Sequence, residues 1–144
     1  MKLDASVLRY LNKDDFRVLT AVETGMRNHD LVPTELIASI AGLRSGGISK
    51  ILSTLLRHKL VYHENKIYSG YRLTYAGYDF LALRTLLRQN IITGIGRQIG
   101  VGKESDIYIV INEEGEEMAL KLQRLGRVSF RAIKKVSSYM RIKI

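Results

Sequence analysis

Two glycines and two lysines in the second half of the chain have the spacing of an anion-binding loop. The stretch I-G-V-G-K-E-S-D contains Gly100, Gly102 and Lys103, and Lys121 follows in the apolar segment A-L-K-L. Glycine lets backbone N–H groups approach phosphate oxygens closely, while the lysines supply positive charge. Between them, D-I-Y-I-V-I predicts a strand and N-E-E-G, residues 112–115, predicts a polar turn. We interpret the whole stretch as a β-hairpin that holds an anion.

The alternation of residues in the second predicted strand places Lys121 on a defined face. Because successive side chains of a strand point to opposite faces, Met118, Leu120 and Leu122 are predicted to face a core. Ala119 and Lys121 then share the other face. A small residue two positions before a lysine leaves room for a flat base, as in the V-A-I-K strand of protein kinases. Each feature alone also fits an ordinary hairpin; their ordered combination favours a nucleotide site.

Two widespread nucleotide-binding motifs are absent. If Gly102 and Lys103 ended a Walker A loop, its first glycine would fall on Arg97, and Glu104 stands where Ser or Thr is required. The dinucleotide motif G-x-G-x-x-G fails because Ile99 occupies its last glycine position. The sequence therefore predicts neither a P-loop nor a dinucleotide-binding fold.

Composition limits the classes of protein that need to be considered. The 144 residues suffice for one medium domain or two small ones, and the absence of cysteine excludes disulfides and cysteine-ligated zinc. The formal net charge is +9, and the chain from Lys121 onward holds 8 basic residues and no acidic one. This favours nucleic acid or an acidic partner, although a solvated basic tail explains it equally well. No apolar run matches a membrane span or signal peptide, so we expect a soluble intracellular protein without a membrane partner.

The first half of the chain has the pattern of a winged helix-turn-helix. Helices are predicted from Asp14 to Gly25, over T-E-L-I-A-S-I-A with Gly42 as its cap, and after a tight turn at residues 45–47. L-V-Y-H-E and Y-R-L-T predict the two strands of the wing. In this fold the third helix and the wing commonly contact nucleic acid, although many winged helices dock proteins instead. The candidate nucleic-acid-binding residues are Arg44, Lys50, Arg57, Lys66 and Arg72.

A further helix is predicted to join this domain to the hairpin. Thr74 can cap a helix from Tyr75 to Arg88, and a polar, glycine-rich segment at residues 88–96 predicts a boundary. We therefore predict domains over residues 1–90 and 91–144. The three histidines lack the spacing of metal ligands, so no metal site is predicted among them.

Four blocks of sequence, in order, resemble the RIO atypical kinases of the second subfamily. The blocks are D-D-F-R-V-L-T-A-V-E, G-Y-R-L-T-Y-A-G-Y-D-F-L-A-L, I-G-V-G-K-E-S-D-I-Y and L-K-L-Q-R-L-G-R-V-S-F-R. The resemblance runs from about residue 1 to 131, and the sequence departs from the family after about Lys135. It implies an α+β architecture, a winged helix followed by a partial kinase-like N-lobe made of a β-hairpin sheet and a short basic helix.

The resemblance also implies an activity and a set of binding residues. Family members are serine/threonine kinases or ATPases that act in cytoplasmic maturation of the small (40S) ribosomal subunit. The implied location is the cytoplasm, with shuttling through the nucleus left open. Carried over to this chain, the phosphate-covering loop would include a Ser105 hydroxyl donor, and Lys121 would be the strand lysine that holds the phosphates. The candidate ATP-binding residues are Gly100, Val101, Gly102, Lys103, Glu104, Ser105, Asp106, Ala119 and Lys121.

The chain departs from the kinase pattern where the chemistry requires carboxylates. Phosphoryl transfer needs a glutamate that positions the strand lysine, a catalytic Asp and Asn, and a metal-binding Asp. No Asp, Glu or Asn follows Lys121. We therefore assign no catalytic residue and expect weak ATP binding, with magnesium bound only if the missing lobe is present.

Three hypotheses follow from these features. The first is an inactive N-terminal portion of such a kinase, which binds pre-ribosomal RNA or ribosomal proteins through its winged helix. The second is a kinase whose remaining lobe is absent from the chain. The third is a winged-helix DNA-binding regulator in which the hairpin appendage is only an oligomerisation arm. We infer no obligate homo-oligomer from the sequence.

Overall fold

The chain forms two compact units. The computed structural model describes residues 8, 10–101, 105–123 and 140–143. One unit is Arg9–Leu81, and the other comprises Met1–Leu8 and Ala82–Ile144. The division falls inside a helix, Tyr75–Arg88. Within the described residues, no helix combines the length and apolarity that a membrane crossing requires.

The unit Arg9–Leu81 is a winged helix. Its three-stranded antiparallel sheet has the order β1-β3-β2. We call β2, β3 and the loop between them the wing. The elements are α1 (Lys13–Gly25), β1 (Val32–Pro33), α2 (Thr34–Ala41), α3 (Ser45–Arg57), β2 (Val61–Glu64), β3 (Gly70–Leu73) and the start of α4 (Tyr75–Arg88).

Apolar residues from the helices and the sheet form one core in this unit. In α3 the buried side chains recur every three or four residues, which is the spacing of one helix face. The sulfur of buried Met26 accepts a hydrogen bond from the Leu73 backbone N–H at 3.3 Å and lies 3.9 Å from the Tyr78 hydroxyl. Fully buried members of the core are Leu19, Ile37, Ile48, Leu52, Leu55, Leu60, Leu73, Tyr78 and Phe80.

Local hydrogen bonds define where the helices begin and end. At the start of α1 the Asn12 side chain accepts from Asp15 N–H and the Asp15 carboxylate accepts from Asn12 N–H, both at 2.9 Å, which is a capping box. The predicted cap Gly42 ends α2 with φ 69°. Lys59 takes the same left-handed conformation after α3, with φ 60°. The predicted cap Thr74 accepts from Gly77 N–H at 3.1 Å.

The predicted turn at residues 45–47 is wrong, because α3 begins at Ser45 and includes both glycines. A β-carbon at Gly46 or Gly47 would have no heavy atom within 4 Å, so nothing in the packing demands glycine there. Glycine weakens a helix without forbidding one, and the buried stripe from Ile48 onward supplies the stabilisation.

The described part of the second unit contains the end of α4 and a four-stranded antiparallel sheet in the order β4-β5-β6-β7. The predicted turn at residues 112–115 joins β5 to β6. The segment from Gly94, predicted to be a linker, is instead β4. The predicted basic helix lies outside the described residues, and β7 was not predicted. The strands are β4 (Gly94–Val101), β5 (Ser105–Ile111), β6 (Glu117–Gln123) and β7 (Met140–Lys143).

Candidate functional site

One face of the β5–β6 pair is packed and the other is partly accessible. Tyr108, Val110, Leu120 and Leu122 are fully buried. The residues between them are only half-buried, and the antiparallel register pairs Ile107 with Lys121 and Ile109 with Ala119. Directly paired residues share a face. We call the half-buried side, formed by Ser105, Ile107, Ile109, Ala119 and Lys121, the open face.

Glycines of β4 border the open face along the edge of β5 that does not pair with β6. Gly100 pairs with Ile107, and a β-carbon built on it would lie 3.3 Å from the Ile107 side chain. A β-carbon on Gly96 would lie 3.3 Å from the Ile109 carbonyl oxygen. The absence of side chains at these two positions leaves the isoleucines uncovered along β4.

Strand β4 is irregular next to the glycine loop. Its register with β5 shifts between Ile95 and Gln98 and again between Gln98 and Gly100. The Gln98 side chain donates to the Gly100 carbonyl at 3.3 Å. Irregularities of this kind redirect a strand and recur beside binding sites. Here the irregularity fixes the backbone at the point where the glycine loop begins.

The open face combines an apolar surface with a cation. Ile107, Ile109 and Ala119 provide a surface on which a flat ring can pack, and the Lys121 ammonium is a strong donor for anionic oxygens. Among the five residues that define the open face, Lys121 contributes an ammonium and Ser105 a hydroxyl. In the register of β6 with β7, Lys121 pairs with Arg141 and Ala119 with Lys143. The arrangement is suited to binding a ring that carries an anionic group.

The structure brings together only part of the predicted ATP site. Gly100, Ser105, Ala119 and Lys121 lie on or beside the open face. Asp106 does not, because strand alternation turns its side chain to the packed face, where it is 4% exposed. The backbone of Val101 pairs with Asp106 in the strand ladder. The predicted Gly102, Lys103 and Glu104 lie outside the described residues.

Sequence reasoning missed the two isoleucines of the open face. The signal was present, since D-I-Y-I-V-I alternates, but every second residue on both faces is apolar. That pattern did not indicate which face of the strand would be buried against the core. The register with Lys121 settles the assignment.

The predicted nucleic-acid-binding residues lie on α3 and the wing. Lys50 and Arg57 are exposed and seven residues apart, so they lie on one side of α3. Arg44 is the exposed N-cap residue of the same helix. Exposed Lys66 lies in the wing loop, and half-buried Arg72 lies over the Tyr62 ring. Exposed Lys59, at the junction of α3 and the wing, was not predicted.

The histidines and carboxylates of the described residues do not form a metal site. Among these residues no three His, Asp or Glu side chains come together. His63 instead stacks on Tyr71, with ring centroids 4.3 Å apart, and lies 3.0 Å from the Ser69 hydroxyl. His29 contacts the Gly25 carbonyl at 3.3 Å. Both therefore make structural contacts within the winged helix.

Comparison with known proteins is consistent with this architecture. The family described as Rio2, N-terminal, matches residues 8–89. The serine/threonine-protein kinase rio2 of Dictyostelium discoideum is 58% identical over 98% of this chain, which spans 27% of that protein. The Schizosaccharomyces pombe protein of the same name is 51% identical, again over 98% of this chain and 41% of its own length.

A solved structure shows the same fold. The Rio2 kinase-ADP/Mg2+-phosphoaspartate complex from Chaetomium thermophilum matches with a TM-score of 0.77 and 45% identity, over 96% of this chain and 44% of that one. A winged helix followed by an antiparallel sheet is thus the architecture that this chain shares with the N-terminal region of a Rio2 kinase. The chain belongs to the Rio2 family. It spans less than half the length of the relatives described here.

Proposed function

We propose that this chain binds the nucleotide of a Rio2-type serine/threonine kinase or ATPase on its open face. We further propose that its winged helix contacts precursors of the small ribosomal subunit during their maturation in the cytoplasm. The observation that carries the nucleotide assignment is the common face of Ala119 and Lys121, with Ile107 and the Gly100 backbone beside them.

The residues of the open face fit a nucleoside phosphate. Ile107, Ile109 and Ala119 are the residues that would pack against the base, and Lys121 is the residue that would pair with the phosphates. Bound ATP would supply the phosphoryl group that a kinase transfers. The described residues contribute orientation and charge, and they include no cluster of carboxylates for magnesium. We therefore expect weak nucleotide binding and no turnover by this chain alone.

The distribution of charge supports contact with RNA. From Arg44 to Arg72 the sequence has six basic residues and one acidic residue, Glu64. This segment covers α3 and the wing, and Lys50, Arg57 and Lys66 are exposed on it. A basic surface of this kind pairs with phosphates and makes binding sensitive to salt.

The nucleotide assignment is tested by changing Lys121 and Ala119. Binding of a fluorescent ATP analogue to the 144-residue chain should weaken about 10-fold or more in Lys121→Ala, because one charge-assisted contact is lost. Ala119→Leu should weaken it similarly by filling the space for the base, without any change of charge. Lys66→Ala, which removes one charge from the wing, is the matched control and should bind as the parent does.

Equal nucleotide binding by the parent, Lys121→Ala and Ala119→Leu would contradict the assignment. ATP hydrolysis by the parent chain that disappears in Lys121→Ala would contradict the expected lack of turnover. Melting temperatures of the three variants show whether each one is folded.

A further inference from the structure

The outer face of the wing carries three polar side chains in one small cluster. In the antiparallel register Tyr62 pairs with Arg72, and Glu64 pairs with Gly70. Val61 and Leu73, which alternate with them, are buried. Tyr62, Glu64 and Arg72 therefore lie on the side of the wing away from the core, and we call this group the wing face.

Tyr62 is exposed, yet two contacts orient its side chain. Its hydroxyl donates to the Glu64 carboxylate at 3.0 Å, and the Arg72 guanidinium carbon lies over its ring, 4.5 Å from the centroid. The hydrogen bond to Glu64 raises the pKa of Tyr62, so the hydroxyl remains a donor. The residue as a whole is still 40% exposed. An exposed ring that is already oriented loses little rotamer entropy when another ring packs on it.

Glu64 is the feature that distinguishes this cluster from an ordinary surface contact. Glu64 is the single acidic residue between Arg44 and Arg72. An acidic group in a basic segment opposes phosphate binding, yet this carboxylate is engaged in fixing Tyr62. The wing face thus presents an aromatic ring and a guanidinium within a segment whose other charged residues attract the RNA backbone.

We propose that the wing face binds an unpaired RNA base, which stacks on Tyr62 and Arg72. This inference rests on the proposed contact between the winged helix and RNA. Bases inside a duplex are stacked on one another and cannot reach a side-chain platform, whereas unpaired bases stack on aromatic rings and on guanidinium planes. The neighbouring cations would hold the phosphates, and the wing face would select single-stranded over double-stranded RNA.

The substitution Arg72→Lys separates stacking from charge. Lysine keeps the positive charge but lacks the planar guanidinium, and Tyr62→Leu removes the ring while it preserves an apolar side chain. The probes are a fluorescein-labelled oligoadenylate of about 12 nucleotides and its duplex with oligouridylate, a length within the range that small single-strand sites cover. Binding is measured by fluorescence anisotropy with the full 144-residue chain, and melting temperatures establish that the variants fold.

Both substitutions should weaken single-strand binding about 10-fold and leave duplex binding within about 2-fold, as expected for the loss of one stacked base. Arg57→Ala is the matched control, since it removes a phosphate contact and should weaken both probes to a similar degree. Single-strand affinity unchanged in Arg72→Lys and Tyr62→Leu would overturn the stacking site while leaving RNA binding intact. A parent chain that binds neither probe would overturn the RNA contact itself, and the stacking site with it. Loss of binding to a small-subunit protein, with RNA binding unchanged, would reassign the wing face to protein contact.

Discussion

At the scale of single residues, burial of the Glu23 carboxylate in α1 lowers the free energy of unfolding. Its Oε2 atom is buried without a hydrogen-bond partner among the described residues. Burial raises the pKa of Glu23, and the charge of Arg27 acts in the opposite direction. Burial, together with the charge of the same carboxylate, raises the pKa of Tyr78. The ionised form of Glu23 therefore reduces the stability of the winged helix at neutral pH.

We predict that Glu23→Gln raises the free energy of unfolding at pH 7, by roughly 1 kcal/mol or less because the side chain is partly accessible. The folded-state pKa lies above the ordinary value of 4.5, so the folded state holds the proton more tightly. The parent then loses stability as pH rises from about 4.5 through the folded-state pKa. The advantage of Glu23→Gln should therefore vanish near pH 4.

Urea unfolding followed by circular dichroism at several pH values measures this difference. Glu35→Gln is the control, since Glu35 is exposed in the first turn of α2 and its neutralisation should bring no gain. A Glu23→Gln advantage that is constant from pH 4 to 7 would show that Glu23 titrates normally.

Strand alternation explains which residues could be placed from the sequence. Ala119 and Lys121 were predicted to share a face, and β6 has that alternation. The inclusion of Asp106 among the ATP-binding residues followed from the continuity of the loop motif. Its side chain lies on the packed face because β5 already begins at Ser105. Where a loop gives way to a strand depends on tertiary pairing, which local sequence does not specify.

At the scale of elements, α2 and α3 are both followed by a residue in the left-handed conformation, Gly42 and Lys59 respectively. After α3, Leu60 N–H donates to the Leu55 carbonyl and Lys59 N–H to the Leu56 carbonyl, both at 3.0 Å, which is a Schellman motif. Glycine commonly occupies the left-handed position of this motif. Lys59 adopts it with φ 60°, which strains a residue that has a β-carbon.

We predict that Lys59→Gly raises the free energy of unfolding by about 0.5–1 kcal/mol, because relief of the strained backbone exceeds the extra entropy of glycine in the unfolded chain. Lys50→Gly is the matched control in the same helix, where the change should cost about 1 kcal/mol. Thermal and urea unfolding measure both. If Lys59→Gly were destabilised as much as Lys50→Gly, the side chain of Lys59 would be making a contact worth more than the strain.

Helices and strands were predicted correctly where apolar residues recur at regular spacing. The prediction failed where glycines interrupt that spacing. Helices α1, α2 and α4 lie where the apolar spacing placed them. Strand β4 was missed because Gly94, Gly96 and Gly100 have no side chains to form an alternating pattern. Its position is set by β5, whose Ile109 and Ile107 would crowd β-carbons at Gly96 and Gly100.

At the scale of the whole molecule, charge and division into units are the features with functional consequences. A net charge of +9 favours the long-range attraction of polyanions, and the exposed cations of α3 and the wing are where we propose that RNA binds. Helical periodicity continues through Leu81 and Ala82 in α4, so the sequence pattern shows no change at the place where the two units divide.

We predict that the chain co-sediments with precursors of the small ribosomal subunit at low salt. Substituting Lys50, Arg57 and Lys66 together by alanine should weaken this by about 10-fold or more and reduce its salt dependence, because three phosphate contacts are lost. The control replaces the exposed Lys13, Arg17 and Arg27 of α1 and its end by alanine, so both variants change the net charge from +9 to +6. Equal losses in the two variants would mean that only total charge matters, and the surface of α3 and the wing would have no special role.

The sulfur of Met26 has a consequence for how substitutions in the core should be judged. A thioether that accepts from the Leu73 amide serves as a polar group inside an apolar interior. Leucine matches methionine in volume and hydropathy, yet it offers no lone pair, so Met26→Leu would deprive a strand amide of its acceptor. Substitution scales based on volume and hydrophobicity would rate this exchange as neutral. At this position they would underestimate the loss of stability.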